Sequence, residues 1–168
     1  MKNIPQFEPW FDEKEISAIT DYMKSGGWLT EFKKTEEFEN LIADYTGTKH
    51  CVAVNNGTIS LTLAALAAGI QYGDEVIVPN YTMIATSNSI KMIGGVPVFV
   101  DVERDTLCMD IDQAKKAITD KTKAILAMHY SGYTNDLDRI KDIIESCYQK
   151  YGFRPKLIED CAHSFGSE

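Results

Sequence analysis

From His50 onward the chain alternates short apolar runs of strand length with helix-length segments that are amphipathic or rich in small residues. That alternation constrains the fold more than any single residue does. Strands read at 51–54, 75–78, 96–100, 124–128 and 156–158, and helical stretches at about 58–68, 82–92, 112–118 and 136–151. The runs are continuously apolar, as expected of strands covered on both faces. The order βαβαβαβαβ therefore predicts an α/β fold, a mostly parallel sheet with helices on both faces.

Upstream, Asp12 followed three residues later by Glu15 predicts a capped helix, and Ile16, Ile19, Tyr22 and Met23 recur at helical spacing until Gly26 and Gly27. Thr35 is the expected cap of a second helix that carries Phe38, Leu41, Ile42 and Tyr45 on one face and closes at Gly47. A helical segment of about 1–48 thus precedes an α/β part of about 49–168, with no repeat, linker or internal domain boundary in the pattern.

Charge narrows the function classes. The 17 basic and 25 acidic residues leave a net charge of -8, and the basic residues are scattered, which argues against nucleic acid and anionic membranes as partners. No apolar run approaches membrane length and no signal peptide is legible, so a cytoplasmic protein is expected. The four cysteines form no Cys-x-x-Cys pair and predict buried, reduced thiols and no metal centre.

Three strand ends could carry chemistry. Val54-Asn55-Asn56-Gly57-Thr58 opens a Leu- and Ala-rich helix, where a glycine and free amides at a positive helix end suit a phosphate; the alternative is an ordinary turn capped by Thr58. Pro79 to Thr86 offers aromatic and Met side chains that either stack on a flat ligand or pack beneath a loop. The run 156–167 ends a strand at Asp160, with Cys161 and His163 beyond it. That carboxylate could cap a helix, orient a histidine, join a metal site with His163, Cys161 and His129, or hold a cofactor's ring nitrogen protonated. A planar, phosphorylated, nitrogen-containing ring satisfies all three strand ends together.

Gly27-Trp28-Leu29-Thr30, Asn56-Gly57-Thr58, Gly73-Asp74-Glu75-Val76-Ile77-Val78-Pro79, Pro97-Val98-Phe99-Val100-Asp101-Val102, Thr122-Lys123-Ala124-Ile125 and Ile158-Glu159-Asp160-Cys161-Ala162-His163 follow one another in a familiar order. Nearly the whole chain resembles the N-terminal half of the DegT/DnrJ/EryC1/StrS family of pyridoxal-phosphate-dependent nucleotide-sugar aminotransferases, of the perosamine or viosamine synthase kind. The resemblance implies the large domain of the aspartate-aminotransferase-like fold (fold type I), truncated before the small C-terminal domain and left with an unpaired sheet edge.

The same resemblance implies pyridoxal 5'-phosphate (PLP) as cofactor. Gly57 and Thr58 would bind its phosphate, with Asn56 where the family usually has Ser. Asp160 would pair with the pyridinium nitrogen, His163 would lie near the ring's phenolic oxygen, and Met83 would stand where relatives stack an aromatic residue. Trp28, Leu29 and Thr30 would line the sugar-nucleotide entrance, with Phe32 replacing a usual Gly. Partners implied are a nucleotide-linked keto-6-deoxy sugar, an amino-acid donor such as glutamate, and a second subunit in a homodimer. No lysine here falls at the family position of the Schiff-base lysine, so this chain alone is expected to be inactive. A sugar 3-dehydratase that uses pyridoxamine phosphate, and a non-catalytic cofactor-binding or dimerising module, are the alternatives.

Overall fold

The computed structural model of the chain describes residues 4–5, 8–28, 30 and 33–167. Two compact units divide it, Met1–Val52 and Ala53–Glu168.

The first unit holds helices α1 (Glu13–Lys24) and α2 (Lys33–Thr46). The capping box at the start of α1 is present: the Asp12 carboxylate accepts the Lys14 N–H at 2.7 Å, and the Glu15 carboxylate accepts the Asp12 N–H at 2.7 Å. Helix α2 begins at Lys33, so Thr35 lies within its first turn and is not its cap. Lys33 and Lys34 are good helix formers, and Lys34 pairs with Glu37 one turn on, which carries the helix upstream of Thr35. Neither helix buries a residue, and Ile19, Met23, Leu41 and Tyr45 are exposed.

The second unit runs α3 (Gly57–Ala67), β1 (Glu75–Pro79), α4 (Ile84–Met92), β2 (Val96–Val100), α5 (Ile111–Ala117), β3 (Thr122–Met128), α6 (Leu137–Tyr151) and β4 (Lys156–Asp160). All strand pairings are parallel, in the order β2-β1-β3-β4. The strand predicted at 51–54 does not form: those four residues are not in strand conformation within any ladder of the sheet, and apolar β-branched content alone makes no strand.

Alternation along the strands builds two cores. On one side Ile77, Ile125 and Ala127 meet Ile111 and Ala114 of α5 and Ile140 and Ile143 of α6. On the other, Val76, Val78, Leu126 and Ile158 meet Ala65 of α3 and Ile90 of α4. Each fully buried aliphatic side chain contributes about 1.5–3 kcal/mol, so β1 and β3, covered on both faces, anchor the unit. Helix α6 shows how the sequence sets a face: Ile140, Ile143 and Cys147 share one buried stripe, Asp136 caps its start, and Gly152 at φ +80° ends it.

The chain steps from β1 outward to β2, then crosses back past β1 to β3 and on to β4. Open parallel sheets bind ligands outside the carboxyl ends of their strands near such a reversal. The segments after β1, β3 and β4 all emerge there.

Candidate functional site

Strand parity decides which carboxylate faces which layer. Asp160 shares the parity of Ile158, whose side chain packs on the α3/α4 side, while Glu159 reaches the opposite side and pairs with His129. Asp160 Oδ1 accepts the Ala162 N–H at 3.1 Å, and Oδ2 has no protein partner among the described residues. One oxygen thus fixes the carboxylate and the other is available.

Facing Asp160 is the N-terminus of α3. Asn56, in extended backbone, caps it by accepting the Ile59 N–H on its side-chain oxygen at 3.0 Å. Asn56, and not Thr58, is therefore the cap. The N–H groups of Gly57 and Thr58 keep no intrahelical acceptor and point along the positive end of the helix dipole. Gly57 needs no unusual backbone angle, and a Cβ built there would meet no atom within 4 Å. The free space beside Gly57 belongs to a cavity of about 510 Å³, lined by Gly57, Thr58, Ser60, Met83, Asp160 and Ala162. Met83 precedes α4, makes no side-chain capping bond and is 71% exposed, so its thioether lies free at the cavity wall.

His163 is held elsewhere at this end of the sheet. Its ring meets Tyr130 edge-on at 5.5 Å between centroids, and its Nδ1 accepts the Ser131 N–H at 3.4 Å. Ser131 has φ 51°, a left-handed conformation that turns the chain sharply after β3. Tyr130 also packs on Tyr81 at 5.1 Å, with the two hydroxyls 3.2 Å apart; that hydrogen bond pushes the Tyr130 phenol above its ordinary range. Tyr81 and Tyr130 were not legible as a pair, because 49 residues separate them.

Trp28 and Thr30 lie in the first unit. Trp28 is exposed, and its carbonyl accepts the Tyr22 hydroxyl at 2.6 Å. Thr30 is exposed in a turn, and Leu29 and Phe32 lie outside the described residues.

A metal reading of this end loses its ligands. Both ring nitrogens of His129 are engaged, by Asn135 and Glu159, and among the described residues no group of three His, Cys, Asp or Glu side chains could hold an ion. The cysteines divide: Cys108 and Cys147 are buried as expected, whereas Cys51 is half-buried and Cys161, just past β4, is exposed. Burial nonetheless raises the Cys161 thiol, the neighbouring Glu159 and Asp160 carboxylates adding to the effect.

An anion seated on the Gly57 and Thr58 amides, a flat apolar group over Met83 and a protonated ring nitrogen on Asp160 all fit this one cavity. Comparison with known proteins identifies the family. The model of the DegT/DnrJ/EryC1/StrS aminotransferase family matches residues 9–168. A UDP-4-amino-4-deoxy-L-arabinose–oxoglutarate aminotransferase of Shewanella sediminis is 40% identical over 98% of this chain and 41% of its own length. A GDP-perosamine synthase of Vibrio cholerae is 37% identical over 98% of this chain and 43% of its own. Among solved structures, a protein of Streptococcus pneumoniae described as a sugar aminotransferase, in its PMP form, superposes with a TM-score of 0.89 at 36% identity, covering 98% of this chain and 44% of that one. A GDP-4-keto-6-deoxymannose-3-dehydratase with a trapped PLP-glutamate geminal diamine superposes at 0.85 with 31% identity, over 98% and 42%. The chain spans less than half the length of the relatives it matches.

Proposed function

The chain belongs to the DegT/DnrJ/EryC1/StrS aminotransferase family, and on that premise we propose that it supplies the cofactor-binding half of a nucleotide-sugar aminotransferase. The family's cofactor is PLP. The observation that carries the proposal is the meeting, in one cavity, of the α3 N-terminus, Met83 and Asp160.

When bound, PLP supplies an electron sink that stabilises the carbanion left after an amino acid loses its α-proton. The Gly57 and Thr58 amides hold its phosphate, and the missing Cβ at Gly57 lets that phosphate approach. Asp160, steadied on Oδ1 by Ala162, offers Oδ2 to the ring nitrogen and keeps a proton there. Met83 covers one face of the ring. His163, with Nδ1 engaged by Ser131, would have its other nitrogen left for the ring's phenolic oxygen. The family resemblance assigns Trp28, Leu29 and Thr30 to the sugar nucleotide. Among the described residues no lysine lines the cavity, so these residues by themselves would not move the proton.

The proposed reaction moves an amino group, with glutamate as donor, to the keto carbon of a nucleotide-linked 6-deoxy sugar in the cytoplasm, in a homodimer. Among the described residues no helix is long and apolar enough to cross a membrane. The test uses a longer protein that joins this chain to a lysine-bearing segment, loaded with PLP. Glutamate should convert the cofactor to its pyridoxamine form, and the keto sugar should convert it back. No donor-dependent conversion would refute the proposal. Dehydration of the sugar without amination would instead favour the second reading, which the dehydratase neighbour motivates.

A further inference from the structure

Asp160 is the last residue of β4, which among the described residues pairs with β3 alone. Such an end frays unless something holds it. His129, the first residue beyond β3, holds it twice. Its backbone N–H donates to the Asp160 carbonyl at 3.1 Å, and its ring Nε2 lies 3.1 Å from Glu159 Oε2. The ring is itself fixed: Nδ1 accepts the Asn135 backbone N–H at 3.0 Å, so the hydrogen of the imidazole sits on Nε2 and is donated to Glu159. The Asn135 side chain donates to the Met128 carbonyl at 2.8 Å and accepts the Met109 N–H at 3.1 Å. His129 and Asn135 are buried, 2% and 3% exposed. The network ties β4 to the loop before α5 and to the end of β3, every buried polar atom being satisfied.

We propose that His129 and Glu159 are positioning residues that hold Asp160 in register for the ring nitrogen, Glu159 acting as a hydrogen-bond acceptor and not through its charge. This rests on the reading of Asp160 as the partner of that nitrogen. Parity explains the division of labour: adjacent carboxylates on one strand face opposite layers, one toward the ligand and one toward the anchor.

The test uses the 168-residue chain, with pyridoxamine 5'-phosphate (PMP) as the probe because it binds without a Schiff-base lysine. Glu159→Ala is the informative variant, since the Glu159 side chain is 41% exposed and its loss leaves the core intact. The amide that donates to Asp160 Oδ1, Ala162 N–H, reports the carboxylate's position by hydrogen exchange with no ligand present. Glu159→Ala should speed that exchange and weaken PMP, each by about 2- to 12-fold, the worth of one ordinary hydrogen bond. Glu159→Gln, which still accepts from Nε2–H, should restore both. NMR of the ring nitrogens should show the His129 hydrogen on Nε2. Unchanged exchange and affinity in Glu159→Ala, a Gln variant as impaired as Ala, or a hydrogen on Nδ1 would each overturn the positioning role. Equal PMP binding by wild type and Asp160→Asn would instead sink the cofactor reading of Asp160, and the exchange measurement would still decide whether His129 and Glu159 hold that carboxylate.

Discussion

Gly57 allows a perturbation whose two effects have opposite signs. It opens α3 with an ordinary backbone angle, and a Cβ there meets no atom within 4 Å, so Gly57→Ala creates neither clash nor strain. Replacing glycine by alanine at a compatible helical position stabilises by about 0.4–1 kcal/mol, chiefly by restricting the unfolded chain. For a chain of this size that raises Tm by roughly 1–4 °C. The same Cβ enters the cavity where a phosphate would sit on the Gly57 and Thr58 amides. Losing one amide bond to a charged phosphate costs about 1.5–3 kcal/mol, or roughly 10- to 150-fold in affinity. At a PMP concentration about 100 times the wild-type Kd, binding stabilises the wild type by about 2.7 kcal/mol; a site weakened about 30-fold retains about 0.9 kcal/mol. Thermal melts of both proteins with and without PMP read the two effects together. The variant should melt higher alone and gain less from the ligand. An unchanged ligand increment, or a lower Tm without ligand, would refute the cradle.

Other residues give independent tests. Met83→Phe should tighten PMP by about 2- to 12-fold, since an aromatic stack adds about 0.5–1.5 kcal/mol beyond area burial; a fluorescence titration showing no gain would remove Met83 from the ring's face. Cys161 is exposed yet its thiol is raised by burial, so iodoacetamide should modify it at neutral pH more slowly than free cysteine, and a faster rate by mass spectrometry would contradict that environment. Asp110, the cap of α5, is held below its ordinary carboxylate value, chiefly by the Gln113 backbone N–H. Its contribution is therefore complete above the ordinary value and fades as pH falls through the lowered one. Asp110→Ala should cost about 1 kcal/mol in urea unfolding at neutral pH and much less in acid, whereas an equal loss at both would contradict the assignment.

The parts of this molecule legible in its sequence are those governed by local pattern. Continuous apolar runs located β1 and β3, because strands covered on both faces cannot alternate; β2 and β4 were found from apolar runs although they are only partly buried. Asp12 with Glu15 marked a helix start because capping is a short-range bond. The run at 51–54 had the same apolar look and forms no strand, since pairing depends on a partner that composition does not reveal. Asp160 and Met83 stood out by lying at or just beyond strand ends and Gly57 by opening a helix, and the fold brings them to one cavity. The Tyr81–Tyr130 contact and the bond from His129 to Glu159 join residues 49 and 30 apart, and no local signal announces either. Strand parity was the unused clue: with Asp160 on the ligand side, Glu159 faces the other layer.

The most direct test is a titration of the 168-residue chain with PMP carrying a ¹⁵N-labelled ring, beside Asp160→Asn. The account predicts saturable binding with the ring nitrogen protonated. Asp160→Asn should lose at least about tenfold in affinity, together with that proton. No binding by the wild type, or a variant that binds equally and keeps the ring protonated, would contradict the assignment of this cavity to the cofactor.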